Sequence, residues 1–403
     1  MNMVAFESSR AATIKSSPSM AVSLAAKAMR ARGEPVVDLS LGEPDFDTPA
    51  HIVEAAVDAM KRGITRYTAP DGLSELREAI VAKFKRENGL DYAMDEISIG
   101  NGAKQILFNA LLGTLEPGHE VIVPAPYWVS YTDIVILHGG TPKVVACGVE
   151  DAFKITPERL EAAITPRSRW FLFNSPSNPT GAIYTADELK AIGEVLARHP
   201  HVAIMSDEIY EHIVCADITF TSFANACPEL RDRTLIINGV SKAYAMTGWR
   251  LGYAAGPKDL TKVLNKMQSQ STTCPSSITQ VAAAAALNGP QDFVAKAVAE
   301  YKARGELATQ GFSAIPGLEV RAPEGAFYLF PKCAAYIGRT APDGAKIASD
   351  TELASYLLKE GKVATVPGSA FGVEPYIRLS FATSRENLAL AIERTAGALA
   401  RLR

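Results

Sequence analysis

Lys242 stands in a run of mostly small residues, Gly239-Val240-Ser241-Lys242-Ala243-Tyr244-Ala245-Met246-Thr247-Gly248-Trp249-Arg250-Leu251-Gly252, with an arginine eight positions after it. A lysine amine is a nucleophile toward a carbonyl and, once free again, a proton carrier. Both roles need part of it neutral near pH 7, which burial and neighbouring positive charge favour. Arg250 adds a planar, permanently charged fork suited to a phosphate. Taken alone, the pair also describes a loop lysine beside a surface arginine. What favours chemistry is the rest of the chain, where polar residues follow apolar runs in the same way.

Ser206-Asp207-Glu208-Ile209-Tyr210 follows one such run, thirty-five residues before Lys242. Asp207 there is either a partner for a buried cation or a cap for a helix beginning at Glu208. Asn174-Ser175-Pro176-Ser177-Asn178-Pro179-Thr180-Gly181 follows another. Turn chemistry accounts for its prolines and Gly181, and leaves the amide of Asn178 free to donate to a ligand. Ile97-Ser98-Ile99-Gly100-Asn101-Gly102-Ala103-Lys104-Gln105 reads as strand, glycine loop and helix start. Backbone N–H groups at such a start suit a phosphate, although the glycines also shape an ordinary turn. Pro124-Ala125-Pro126-Tyr127-Trp128 puts an aromatic in a loop after a strand, where Trp128 either stacks on a ring or packs in the core. Tyr376-Ile377-Arg378-Leu379-Ser380 sets one arginine inside an apolar strand. A buried arginine is costly unless paired, so Arg378 meets either a structural carboxylate or an anionic ligand.

Positioning these groups requires strands that end together. Apolar runs at Val121–Val123, Trp170–Phe173, Val202–Met205, Thr234–Ile237 and Leu251–Ala254 alternate with helical patterns. That alternation predicts an α/β domain with a mostly parallel sheet flanked by helices, and ligands in such sheets gather beyond the carboxyl ends of the strands. One helix is expected from a Thr48 cap and Pro49 to Gly63, and a second buries Leu73, Leu76, Ile80 and Phe84 and stops at Gly89. A capping box of Thr185 and Glu188 starts a third, over Leu189, Ile192 and Leu196. Beyond about Leu287 the pattern becomes helix, strand pair, helix, strand, helix, read as a smaller α+β domain completed by the N-terminal segment. The expected division is 1–47 for the N-terminal arm and part of the small domain, 48–290 for the large domain and 291–403 for the rest of the small one.

With 403 residues the chain exceeds what one core usually serves. A net charge of −3 offers no field for nucleic acid or an anionic membrane, and no apolar run approaches membrane-spanning length. Five scattered cysteines without a CxxC pair argue against a disulfide framework or structural zinc, so no metal is expected and a reducing, cytoplasmic location fits. The first thirty residues hold Arg10, Lys15, Lys27 and Arg30 against Glu7, as a transit peptide would, but without a signal-peptide pattern.

Together these segments resemble the class I pyridoxal-phosphate-dependent aminotransferases, from Lys15 to the final helix, and among them the bacterial aspartate and prephenate aminotransferases. The resemblance implies pyridoxal 5′-phosphate held covalently on Lys242. Asp207 would face its pyridine nitrogen, Tyr210 and Asn178 its ring hydroxyl, and Trp128 its ring. Gly102, Ala103, Lys104, Ser241 and Arg250 would surround its phosphate, with Gly239 standing where some relatives carry a serine. The family's homodimers place the site between subunits, and Tyr67, in Arg66-Tyr67-Thr68, resembles the tyrosine that reaches the neighbour's cofactor phosphate. For substrate, Gly42 matches a glycine whose backbone faces it, and Arg378 an arginine that grips its α-carboxylate. Lys15 takes the place of a lysine that binds the distal carboxylate of dicarboxylic substrates, although here Ser16 and Ser17 intervene before Pro18. An exposed lysine on an N-terminal arm is the alternative.

The implied reaction is ping-pong transfer of an amino group from an L-amino acid, aspartate, to a 2-oxo acid, 2-oxoglutarate. Rival readings are a prephenate or aromatic aminotransferase and a carbon–sulfur β-lyase on the same scaffold, because function resides in the site rather than the fold. A transcription regulator with such an effector domain would need a helix-turn-helix domain, for which there is no room before Gly42.

Overall fold

Apolar strands that are buried along their whole length need helices on both faces, and the middle of this chain supplies them. The computed structural model describes residues 6–14 and 18–403. Its strands are β1 (Val37–Asp38), β2 (Ile97–Gly100), β3 (Glu120–Ala125), β4 (Thr141–Ala146), β5 (Ser168–Asn174) and β6 (Ala203–Asp207). They continue with β7 (Thr234–Gly239), β8 (Gly252–Ala255), β9 (Tyr328–Leu329), β10 (Val363–Ala364), β11 (Val366–Pro367) and β12 (Ile377–Ser380). Seven form one sheet in the order β2-β8-β7-β6-β5-β3-β4. Only β8 runs against its neighbours. The chain is therefore an α/β protein with a mostly parallel sheet.

Every apolar run read as a strand lies in or at the edge of one of these strands. β4 was not among them. It is the edge strand, half exposed along its length and carrying Pro142 and Lys143, so it lacks the apolar signal of a buried strand. The helix Ala50–Lys61 is present, but Thr48 does not cap it: its hydroxyl donates to the Ala245 carbonyl and accepts from the Trp249 indole N–H. The helix Ser74–Lys83 buries Leu76 and Ile80, passes through a wider turn at Phe84–Asn88, and ends at Gly89 with φ +66°. The Thr185–Glu188 capping box closes in both directions, at 3.2 and 2.8 Å.

A smaller α+β part is built from β11-β12-β9, antiparallel, and the parallel pair β1-β10, packed against the helices Asp292–Ser313 and Arg385–Leu399. The expected strand pair before Asp350 is reduced to β9 and an isolated bridge between Glu319 and Lys332. Pro323 and Pro331 lack the N–H groups that a longer ladder would need. The N-terminal segment does join this part: Leu39 donates to the Ala364 carbonyl and accepts from the Ser380 N–H. That pairing carries Ser40 and Gly42 to the side of β12 that bears Arg378.

Candidate active site

The carboxyl ends of β5 and β6 lie side by side, Asn174 opposite Asp207, with Ile237 of β7 next to Asp207. Because β8 is reversed, its first residue reaches the same edge, and Gly252 pairs with both Gly100 of β2 and Gly239 of β7. A Cβ on Gly252 would come within 2.2 Å of the Ala103 nitrogen, and one on Gly102 within 2.4 Å of an Arg250 guanidinium nitrogen. These glycines let the helix Ala103–Thr114 start directly against the sheet edge with Arg250 laid over its first turn. Arg250 donates to the carbonyls of Thr247 and Asn101 at 2.8 and 3.4 Å, and among the described residues it has no carboxylate partner. A helix N-terminus beside an unneutralised guanidinium is an anion site of the kind a phosphate fills.

A cavity of about 380 Å³ opens from that point, lined by Lys242, Asp207, Tyr210, Trp128, Asn178, Ser241, Gly42, Ala103, Lys104, Arg250 and Arg378. Its size suits a cofactor together with a small substrate. The Lys242 amine donates to the Gly42 carbonyl at 2.5 Å. Burial brings its pKa down to about 8, against the pull of Glu43 and with help from Arg378 and Arg250. A usable fraction of neutral amine is thus available near neutral pH.

Asp207 is buried, and burial pushes its carboxyl up to about 6 while the Tyr131 hydroxyl, the Ile209 N–H and Lys242 pull it down. Tyr131 donates to Oδ2 at 2.7 Å, and the Ile209 N–H reaches Oδ1 at 3.3 Å. The second bond is the local capping expected of an aspartate before a turn, but among the described residues no cation is bonded to the carboxylate. A protonated ring nitrogen at the cavity end would supply it.

Arg378, on β12, donates through one terminal nitrogen to Asn178 Oδ1 at 3.0 Å and through the other to the Ser40 carbonyl at 2.5 Å. Its Nε is buried without a partner, and no carboxylate pairs with it among the described residues. The structural ion pair is therefore not what this arginine serves; an unneutralised buried guanidinium facing a cavity calls for an anionic ligand. Trp128 is half-buried with its ring edge-on to Tyr131, so it lines the cavity as well as packing beside the core. The Lys104 amine lies 4.7 Å over the Trp128 ring, where burial and Arg250 lower its pKa. Its side chain faces the cavity, while its backbone belongs to the helix start.

Tyr67 is 88% exposed and does not line the cavity of its own chain. Lys15 lies outside the described residues. Two further residues matter that motif reading did not single out, Tyr131 and Tyr328, and Asn174, expected at a strand end, takes a defined part. Tyr131 holds Asp207; Asn174 ties the two loops, donating to the Asp207 carbonyl at 2.7 Å and accepting from the Asn178 N–H at 2.8 Å; Tyr328 meets Tyr210, hydroxyl to hydroxyl, at 2.8 Å. The alignment of Asn174 and Asp207 at strand ends was visible in the sequence, whereas Tyr131 sits in an apolar helix that reads as core.

The one group of potential metal ligands among the described residues, Glu87, Glu211 and His212, already surrounds a cation, because the buried Lys83 ammonium pairs with both glutamates.

Comparison with known proteins shows the family. A family model described as "Aminotransferase class I and II" matches residues 34–394. An aspartate aminotransferase of Rhizobium meliloti is 53% identical over 394 residues, 98% of this chain and 96% of the relative. An aspartate/prephenate aminotransferase of Cereibacter sphaeroides is 54% identical over 391 residues, 97% of this chain and 98% of the relative. Among solved structures, the aspartate aminotransferase of Rhizobium meliloti superposes with a TM-score of 0.95 at 52% identity, covering 98% of this chain and 99% of that one. That of Thermus thermophilus, determined with maleate, gives 0.92 at 41% identity over 98% of this chain and all of the other.

Proposed function

The chain belongs to the class I and II aminotransferases, and from that premise we propose that it transfers the amino group of L-aspartate to 2-oxoglutarate with pyridoxal 5′-phosphate as cofactor. The observation that carries this reading is the convergence on one cavity of a lysine amine near pKa 8 with a buried carboxylate and two arginines that have no oppositely charged partner among the described residues. Bound there, the cofactor supplies an aldehyde for the amine and an electron-withdrawing ring.

The chain's own residues then divide the work. Lys242 holds the cofactor and, once displaced, carries the proton to and from the substrate α-carbon. Asp207 keeps the ring nitrogen protonated, with Tyr131 orienting its carboxylate. Tyr210 and Asn178 would direct donors at the ring hydroxyl, and Trp128 would cover the ring face. Gly102, Ala103, Ser241 and Arg250 would hold the phosphate. Arg378 binds the α-carboxylate between Asn178 and Ser40, and Gly42 faces the substrate.

We place the working division of the chain at 1–47, 48–290 and 291–403, with Arg378 closing onto the larger unit. We also assign it a homodimer. Tyr67 is exposed, as are the apolar side chains Val53, Val57 and Met60, and an open groove holding Phe46, Trp249 and Ser276 runs beside Arg250. In that homodimer Tyr67 would serve the phosphate end of the neighbouring subunit's cavity, as the family resemblance implies. A cytoplasmic location is in keeping with five free cysteines. No helix among the described residues is long and apolar enough to cross a membrane.

Purified protein loaded with pyridoxal 5′-phosphate is expected to consume aspartate continuously only when 2-oxoglutarate is present, and otherwise to stop after about one turnover per site. A carbon–sulfur β-lyase would instead release ammonia and pyruvate from its substrate without a second oxo acid, and that result would overturn the proposal.

Substrate choice has its own test. Arg378→Ala should lower kcat/KM about ten- to a hundredfold for aspartate and for an accepted neutral amino acid alike, as expected for loss of a charge-assisted carboxylate contact. Lys15→Ala should impair aspartate selectively. Lys104→Ala is the companion variant, because the Lys104 amine is a second cation facing the cavity. Equal effects of Lys15→Ala on both substrates, or none, would remove Lys15 from distal-carboxylate binding; a selective loss in Lys104→Ala would move that role to Lys104.

A further inference from the structure

Tyr328 is wholly buried on β9, opposite Ser380 of β12, and touches three groups at once. Its hydroxyl is 2.8 Å from that of Tyr210, and the Arg378 guanidinium carbon lies 4.6 Å over its ring. Gly42 packs so closely that a Cβ there would come within 2.6 Å of the Tyr328 hydroxyl, while the Gly42 carbonyl holds the Lys242 amine. We propose that Tyr328 is a positioning residue that couples an anion bound at Arg378 to the strength with which Tyr210 donates a hydrogen bond into the cavity. This rests on the aminotransferase reading, in which Arg378 takes a carboxylate and Tyr210 faces the ring hydroxyl.

The coupling follows from the order of the three groups. A cation over a phenol ring favours loss of its proton and makes it the better donor of a hydroxyl pair. Burial raises both phenols and Arg378 opposes that rise at each, while Tyr328 and Asp207 add to it at Tyr210. Either hydroxyl of the pair can donate; in the proposed coupling the cation over the Tyr328 ring makes Tyr328 the donor and Tyr210 the acceptor, which leaves the Tyr210 O–H free to point into the cavity. Accepting one bond strengthens the bond Tyr210 itself donates. When a carboxylate neutralises Arg378, Tyr328 becomes a weaker donor, and Tyr210 weakens with it. The remaining charged groups near the pair, Asp207 and Lys242, lie on the cofactor side, and Arg378 also acts directly on Lys242 and Tyr210. A second path from Arg378 runs through Asn178, so the Tyr328 path accounts for part of the response.

The test is the pH midpoint of the visible absorbance of the cofactor-loaded protein, with and without succinate as a non-reacting dicarboxylate. Tyr210's donation favours the deprotonated ring-oxygen form, so Tyr328→Phe should raise the succinate-free midpoint by about 0.1–0.7 unit, a fraction of one charge-assisted hydrogen bond. The change caused by succinate should shrink in the same variant. In a Tyr210→Phe background the Tyr328→Phe change should add nothing, since its receiver is gone. A midpoint unmoved in Tyr328→Phe, or an equal shift in the Tyr210→Phe background, overturns the inference. Should Tyr328→Phe fail to fold, Tyr210→Phe alone decides: its response to succinate must shrink too, and an undiminished response overturns the coupling. Failure of the wild-type protein to acquire the absorbance would instead strike at the aminotransferase reading.

Discussion

Lys242→Ala is expected to abolish steady-state amino transfer and to remove the visible absorbance of lysine-bound cofactor. Two contributions disappear together. The covalent attachment goes, and so does the amine that carries the proton, a role worth about 10²–10⁴-fold on its own. Nothing else in the site offers a neutral amine within reach: Lys104 faces the cavity from beside Trp128, at the phosphate end. The variant should remain folded, because the amine makes one hydrogen bond, to the Gly42 carbonyl at the edge of the cavity. Steady-state kinetics and absorbance on the purified variant, with a melting curve as control, decide the matter. Near-normal turnover would sink the assignment of Lys242.

Asp207→Ala should still take up cofactor, through Lys242 and the phosphate end, yet lose about 10³-fold or more in kcat. Electrostatic stabilisation of charge that develops during reaction is commonly the largest single contribution of a site, and one lost donor or counter-charge costs about 10²–10³-fold. Asp207 sits where that contribution is unscreened, buried and already oriented by the Tyr131 hydroxyl. A loss under about tenfold would reduce Asp207 to the capping role that its bond from the Ile209 N–H also allows. Asp207→Asn separates the two: it can keep the cap and removes the charge, so it should resemble Asp207→Ala in kcat.

Much of this site was legible because its residues follow buried strands. Asn174, Asp207 and the segment before Lys242 each close an apolar run, and parallel pairing brings such ends to one edge without further information. Arg378 was legible as a charge in the wrong place, and the absence of a carboxylate partner turned that oddity into a binding group. Tyr131 and Tyr328 were not. Each lies in a stretch whose aromatic and apolar neighbours are core, and a hydroxyl aimed at one atom leaves no periodic trace. β4 escaped for the opposite reason, since an edge strand bearing proline and lysine carries too little apolar contrast. The Thr48 error shows that a good capping residue serves the strongest partner available, here the Ala245 carbonyl and the Trp249 indole.

The guanidinium of Arg378 is steadied by a carbonyl 338 residues earlier and an amide 200 residues earlier. During synthesis, the large sheet can assemble long before either partner meets that arginine, since all seven of its strands precede Gly256. The carboxylate site, by contrast, exists only after nearly the whole polypeptide has emerged and its first and last portions have closed on one another. Contacts of such separation are formed late because the loop they close is long. A growing chain would therefore hold its reactive lysine beside a finished sheet while remaining unable to grip an amino acid, and competence would arrive in a single late step.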